Sequence, residues 1–299
     1  MKLRDIYARP GLKLSFEFFP PKTEQGMTTL FRELAVLRDL GPDFCSVTYG
    51  AGGSTRDTTV DLVDVIHRDH GVEVMCHLTV VGQSKEEVRT VLSDLQRRGI
   101  ENLIALRGDP PRGVDEWVPH PDGFSYSIDL VREAKARGHF SIAVAGFPET
   151  HPQAESPEAD IRYLKAKVDA GGELIITQLF FDNDDFYRYV ERVRAAGIEV
   201  PVVPGVMPIL STGQATRMAS LCGSKIPPRL GAMLERVAED DDAAVQLGID
   251  YATEQCEGLL AFGVPGMHVY VLNRSHSVSA ILSNLGLADP AAESRRASG

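Results

Sequence analysis

The sequence predicts an α/β fold, a (β/α)8 TIM barrel with a short extra helix before the last strand, on three observations. Eight apolar, β-rich runs recur along the 299 residues, with amphipathic stretches between them. No GxGxxG follows an early strand, so the phosphate-binding signature of the rival architecture, a dinucleotide-binding doubly wound sheet, is missing. Polar residues recur at or near the C-terminal ends of the runs, at Thr48, His77, Asp109, His151, Gln178 and Arg274. That is the face on which barrels of this type assemble their active sites, because the βα loops converge there.

The elements follow in order. LSFEFF from Leu14 is the first strand, and MTTLFRELAVLRDLG after it has helical spacing and ends on the glycine expected past a helix C-terminus. FCSVTYG from Phe44, EVMCHLTV from Glu73 and NLIALRGD from Asn102 are the next three strands, with KEEVRTVLSDLQRRGI as the helix between the last two. SIAVAGFP from Ser141 leads to the helical DIRYLKAKVDAGG, and LIITQLFF from Leu174 leads to DDFYRYVERVRAAGI. VPVVPGVMP from Val200 is the seventh strand. Residues 224 to 242, SKIPPRLGAMLERVAEDDD, interrupt the rhythm with a proline-started helix and an acidic turn. A long helix from about Ala243 to Ala261 then precedes the last strand, MHVYVLN from Met267. Residues 1–288 are expected to form one catalytic barrel domain, and DPAAESRRASG, residues 289–299, a flexible tail.

Composition narrows the function classes. With 43% hydrophobic and 24% charged residues the chain can bury a sizeable core. A net charge of -11 argues against a general nucleic-acid or anionic-membrane binder, so a phosphate-bearing ligand needs specific local donors. Cys45, Cys76, Cys222 and Cys256 form no CxxC pair or Cys/His cluster, which points to reduced, mostly buried thiols and to neither a zinc site nor a redox dithiol. The N-terminus lacks an apolar h-region and no stretch reaches membrane-spanning length, so a cytoplasmic protein is expected.

The residues that suggest chemistry begin with Glu17, set among Phe16, Phe18 and Phe19. A carboxyl in apolar surroundings keeps its proton and can act as an acid. Strand alternation could instead turn Glu17 to a wet face while the phenylalanines form the core. Asp109 follows Gly108, which gives the backbone room to approach a flat ligand, although a turn aspartate has the same appearance. Gln178 can donate and accept at once, and Arg274 carries a planar fork suited to a carboxylate or to a surface ion pair. His77 or His151 alone would be an ordinary structural histidine.

Ten motifs in order, SFEFFPPK, SVTYGAGGSTRD, HLT, ALRGDPP, FSYSIDLV, PETHPQA, KVDAG, ITQLFFD, PGVMP and LNR, resemble those of methylenetetrahydrofolate reductases. The resemblance runs from about Leu14 to Leu287. It implies a flavoprotein barrel of one-carbon folate metabolism that binds FAD and takes a hydride from NADH or NADPH. By a ping-pong cycle it would reduce 5,10-methylenetetrahydrofolate to 5-methyltetrahydrofolate, a step toward methionine biosynthesis. It implies Glu17 as general acid and Asp109 as the anion between flavin and folate. It puts Thr48, His77, Arg107, Gly108, Asp109, Tyr126, Ser127, Phe147, His151, Asp160 and Lys167 around FAD, and Gln178, Tyr270, Thr212 and Arg274 around the substrates. A homo-oligomer is expected with it.

Three positions depart from the family pattern. Tyr163 and Ala166 fall where some bacterial members carry a polar and a basic residue near the diphosphate, and Thr212 replaces an aromatic that stacks on nicotinamide in some relatives. The competing expectations are another FAD-binding barrel oxidoreductase of the proline dehydrogenase type, and a barrel lyase or aldolase. The latter would want a strand-borne lysine, and the runs offer only Lys13 at an edge.

Overall fold

The computed structural model describes residues 1–49, 56–109 and 118–288. The expected tail, 289–299, lies outside these residues, as do 50–55 of the SVTYGAGGSTRD motif and the two prolines that end ALRGDPP.

The apolar runs form eight strands: β1 (Lys13–Phe18), β2 (Phe44–Val47), β3 (Val74–Thr79), β4 (Asn102–Leu106), β5 (Ser141–Gly146), β6 (Leu174–Leu179), β7 (Val202–Val206) and β8 (Gly266–Tyr270). They pair in parallel and in sequence order, and the barrel closes where β8 meets β1, with Lys13 opposite Gly266 and Glu17 opposite Tyr270. The helices are α1 (Leu3–Tyr7), α2 (Glu24–Arg38), α3 (Arg56–His70), α4 (Lys85–Arg97), α5 (Ser127–Ala136), α6 (Pro157–Asp169), α7 (Asn183–Ala195), α8 (Thr212–Cys222), α9 (Pro228–Arg236), α10 (Asp241–Phe262) and α11 (His276–Asn284). The expected extra helix is α9. Local chemistry sets the starts: Ser84 and Glu87 form a reciprocal capping box on α4, and Ser156 caps α6 ahead of Pro157.

Strand alternation divides the core in two. Leu14, Phe16 and Phe18 of β1 pack outward in the layer that includes Leu30, Leu34 and Leu37 of α2. The opposite face of the strands contributes Phe44, Met75, Ile104, Ala143, Leu174, Ile176 and Val203 to an inner layer, closed from the N-terminal side by Leu3 and Ile6 of α1. The free N–H groups at the start of α1 are taken up by inward polar residues of the strands. Leu3 N donates to Asn102 Oδ1 at 2.8 Å and Arg4 N to Ser141 Oγ at 3.3 Å. The sequence reading did not anticipate α1, because five residues are too few to display a helical period.

With Leu3 and Ile6 closing its N-terminal end, the end of the barrel expected to take ligands is the C-terminal one. There α8 and α9 pack Ala215, Ala219, Leu230 and Leu234 against Leu179, Phe181, Met207 and Ile209. Among the described residues no helix is long and apolar enough to cross a membrane.

Candidate active site

Glu17 shares the inner face of β1 with Ser15, while Phe16 and Phe18 are buried on the other face and Phe19 is 43% exposed. The phenylalanines therefore do not surround the carboxyl, which corrects the expectation drawn from LSFEFF. Its neighbours are two imidazoles. His268 Nε2–H donates to Glu17 Oε2 at 3.1 Å, and His77 Nε2 lies 3.3 Å from the same oxygen. Burial alone would raise the carboxyl, but the charge and hydrogen bonding of His77 and His268 outweigh it and hold Glu17 at about 2. The proton of this site therefore belongs to the carboxylate–imidazole group as a whole and is not fixed on Glu17 by desolvation.

His268 is fully buried and was missed by the sequence reading. Its Nδ1 lies 2.8 Å from Ser15 Oγ, the Phe44 ring stacks on it at 6.3 Å, and Tyr270 meets it edge-on at 5.5 Å. The signal was present in MHVYVLN: period-two alternation puts His268 and Tyr270 on one face and Met267, Val269 and Val271 on the other.

A second group gathers around the βα loops after β4 and β5. Lys167 of α6 donates to Ala145 O at 2.8 Å, and burial pushes its ammonium down to about 8, partly offset by Asp160. His151 N donates to Asp160 Oδ2 at 3.0 Å, and its ring meets Phe147 edge-on at 4.6 Å. Burial lowers the His151 imidazole, and the charges of Arg107 and Lys167 lower it further. Burial likewise lowers Arg107 and raises Asp160. These mutual effects bring Arg107, His151, Asp160 and Lys167 together, with Asp109 and Tyr126 acting on Arg107. Tyr126 is 63% exposed at the N-cap of α5, which Ser127 opens.

The remaining expected site residues fall in varied settings. Thr48 N donates to Phe18 O at 2.9 Å, and Thr48 O accepts from Thr59 Oγ1 at 2.9 Å, which fixes the end of β2. Gly108 has φ +86°, and a Cβ there would come within 2.5 Å of Val81 Cγ1. Packing against the segment after β3 thus already demands glycine, before any ligand is considered. Asp109 is exposed just beyond β4; its charge and that of Glu17 both add to the burial that pushes the Cys222 thiol up to about 11. Gln178 is half-buried, and its Oε1 accepts from Leu179 N at 2.8 Å.

Tyr270 crosses the barrel above Gly205 and donates to Thr177 O at 2.7 Å, so its hydroxyl is engaged within the protein. Thr212 opens α8 and donates to Leu234 O at 3.2 Å, tying α8 to α9. Arg274 is exposed and follows Leu272 and Asn273, both at positive φ (52° and 54°). Asn273 pins that turn by pairing its carboxamide with the backbone of Phe19, at 3.0 Å to N–H and 2.8 Å to C=O. Tyr163 is 54% exposed on α6, one turn before Lys167. Lys13 lies at the opposite, N-terminal end, where its ammonium donates to Pro10 O and Gly11 O at 2.7 and 3.0 Å. The strands therefore carry no lysine at the mouth of the barrel among the described residues. No group of metal-binding side chains occurs among them either.

The donor set suits a dinucleotide carrying a diphosphate. Three cationic or ionisable nitrogens, on Arg107, His151 and Lys167, meet chiefly Asp160 and Asp109, and the buried Thr79 Oγ1 nearby has no hydrogen-bond partner. An anion would relieve the electrostatic cost that burial imposes on Lys167 and Arg107.

Known proteins resemble the chain over most of its length. Residues 2–286 match the methylenetetrahydrofolate reductase family model. The chain is 43% identical to "Methylenetetrahydrofolate reductase (NADH) 1" of Arabidopsis thaliana over 98% of its own length but 52% of that protein's. It thus spans about half the length of the plant relatives. It is 38% identical to "5,10-methylenetetrahydrofolate reductase" of Salmonella typhimurium, over 92% of this chain and 91% of the other. A solved structure of an uncharacterized protein from Clostridium thermocellum, which binds two copies of 5-methyl-5,6,7,8-tetrahydrofolic acid, aligns with TM-score 0.60 at 17% identity. It covers 95% of this chain and 96% of that one, a likeness of fold. With the match running from α1 to α11 and through every strand that carries the site, the chain belongs to the methylenetetrahydrofolate reductase family.

Proposed function

We propose that the chain reduces 5,10-methylenetetrahydrofolate to 5-methyltetrahydrofolate with electrons from NADH or NADPH. The observation that carries this reading is Glu17, an inward carboxyl at the barrel mouth whose Oε2 sits between His268 and His77, in a chain of this family. The NADH in the plant relatives' names makes NADH the first reductant to test. Assembly as a homo-oligomer is part of the same proposal.

The chemistry needs a proton and a fixed negative charge. Opening the imidazolidine ring breaks a bond from the methylene carbon to nitrogen, the electron pair stays on that nitrogen, and the nitrogen takes a proton. Glu17, supplied by its imidazole partners, gives that proton. The methylene carbon is left as part of an iminium cation on the folate, and Asp109 stabilises the positive charge from the loop after β4. Gln178 offers a carboxamide to the pterin edge or to the nicotinamide, and Arg274 a guanidinium to the glutamate tail of the folate. Tyr270 supports the floor of the pocket through its bond to Thr177, and Thr212 acts on the reductant side only through the position of α8.

FAD, when bound, supplies the chemistry that accepts two electrons from the nicotinamide and delivers them to the folate in a separate step. Arg107, His151 and Lys167 would hold its diphosphate, with Asp160 setting the charge of His151 and Lys167. Tyr126 and Phe147 would offer ring surfaces, and Thr48, Gly108, Ser127 and His77 would complete the enclosure. An amine oxidation of the proline dehydrogenase type would leave the Glu17 cluster without a task.

The test is product formation. The purified chain, given FAD, NADH or NADPH and 5,10-methylenetetrahydrofolate under anaerobic conditions, is expected to yield 5-methyltetrahydrofolate by mass spectrometry. Absence of that product with both nicotinamides would overturn the reading.

A further inference from the structure

Glu17 can give up only one proton per turnover, and it must be reloaded. The layer directly beneath it is built to do this. His268 sits below Glu17 with no exposed surface, one nitrogen 3.1 Å from Glu17 Oε2 and the other 2.8 Å from Ser15 Oγ. Ser15 Oγ also lies 3.4 Å from Met267 O. A hydroxyl is a rotor with one donor and two acceptor positions, so Ser15 can serve either form of the ring.

When His268 is imidazolium, Nδ1–H donates to Ser15 Oγ, Ser15 turns its hydrogen toward Met267 O, and Nε2–H donates to the Glu17 carboxylate. When the proton has moved to Glu17, the carboxylic O–H donates to Nε2 and the rest of the chain is unchanged. Both protonation states keep every hydrogen bond, and no heavy atom has to move. A buried polar group that satisfied only one state would impose a cost on the other.

We propose that His268, held by Ser15, is the proton store that reloads Glu17, a positioning residue for the folate step that acts through the carboxyl. The inference rests on the proposed folate reduction. In the step itself the Nε2–H bond of the imidazolium breaks, its electron pair stays on Nε2, and an O–H bond forms on Glu17. The O–H bond then breaks toward the leaving nitrogen of the folate, whose lone pair takes the proton. A solvent proton entering through the mouth by way of Glu17 restores the imidazolium between turnovers, since His268 has no exposed surface of its own. The store is thus filled while the mouth is wet and used once the substrate covers it.

Among the described residues, the other ionisable groups near this pair come from β3, β8 and α8. They are His77 beside Glu17, Tyr270 two residues along β8, and Cys222, whose thiol feels the charge of Glu17. Burial pushes Tyr270 and Cys222 upward, so both stay neutral across the working range. His77 Nε2 also lies 3.3 Å from Glu17 Oε2, but among the described residues its ring has no hydroxyl partner like Ser15 behind it, which makes His268 the better store.

The experiment is a pH profile of single-turnover folate reduction in the holoenzyme, comparing wild type with His268→Gln and Ser15→Ala. An imidazole holds a proton to about pH 6.5 and a carboxyl alone to about 4.3, so losing the store should pull the alkaline midpoint down. The expected shift is roughly one pH unit or more for His268→Gln and a smaller one, in the same direction, for Ser15→Ala. A lower rate with an unmoved midpoint in both variants would mean that His268 only packs the barrel, and would overturn the proposal. A second readout needs no turnover: nitrogen NMR of histidine-labelled protein, with and without Glu17→Gln. The His268 Nε2 resonance, which reports the bond to the carboxyl, should move when Glu17 is replaced, while the Nδ1 resonance stays near its wild-type position. An unmoved Nε2 resonance would also overturn the proposal. If wild type makes no methylated folate, the functional reading fails, and the NMR result still decides whether the pair shares a proton.

Discussion

Lys167 shows how a single residue couples the proposed cofactor site to stability. Its folded value of about 8 lies below the ordinary 10.5, so the folded protein resists charging it. The resulting penalty is fully present below pH 8 and fades as pH rises toward 10.5. Relative to Lys167→Met, wild type should therefore gain stability across that interval, measured as a difference in urea midpoints; a flat difference would show that burial does not strain this ammonium. The same variant should weaken FAD by roughly tenfold to a hundredfold, the worth of a charge-assisted hydrogen bond, as read by fluorescence titration. Glu17 was legible as a candidate because it is a charge in an apolar run, and Lys167 only through the family resemblance. What was misread at Glu17 was its company: sequence neighbours on a strand face away, and the true partners, His77 and His268, come from strands 60 and 251 residues along the chain. His268 could have been found by applying to the last strand the alternation that singled out the first.

Elements were easiest to read where they are long. The strand runs, α9 and α10 follow from β-rich composition, a proline start and helical spacing, whereas α1 is five residues and announces itself only through its partners. Its function is to seal the barrel floor. Leu3 is fully buried against the inner layer, and Leu3→Ala should cost about 2–5 kcal/mol in equilibrium unfolding. A cost below about 0.5 kcal/mol would mean that α1 is dispensable. At the mouth, Thr212, a site residue assigned by resemblance, has its hydroxyl bonded to Leu234 O. Thr212→Val should lower stability by about 1 kcal/mol and leave the KM for NADH within about twofold. A larger KM change without loss of stability would return Thr212 to the reductant site.

For the molecule as a whole, the closed ring of eight strands has two consequences. Chain closure lets β8 deliver His268 to Glu17 of β1, a contact that no local pattern encodes, which is why the barrel was readable from its rhythm and the cluster was not. It also buries a charged group at the barrel's axis, and that group ties stability to acid. Glu17 at about 2, against the usual 4.5, contributes stability above pH 4.5 that is lost as pH falls toward 2. The contribution is on the order of 3 kcal/mol, and Glu17→Gln should remove this pH dependence from urea unfolding compared at pH 6 and pH 3. The central claim, that this carboxyl is the acid of folate reduction, is tested most directly by separating the two half-reactions of Glu17→Gln in stopped flow. Folate reduction by the reduced holoenzyme should fall by about 10²–10⁴-fold, while flavin reduction by NADH changes far less. Equal slowing of both half-reactions, or an unimpaired folate step, would contradict it.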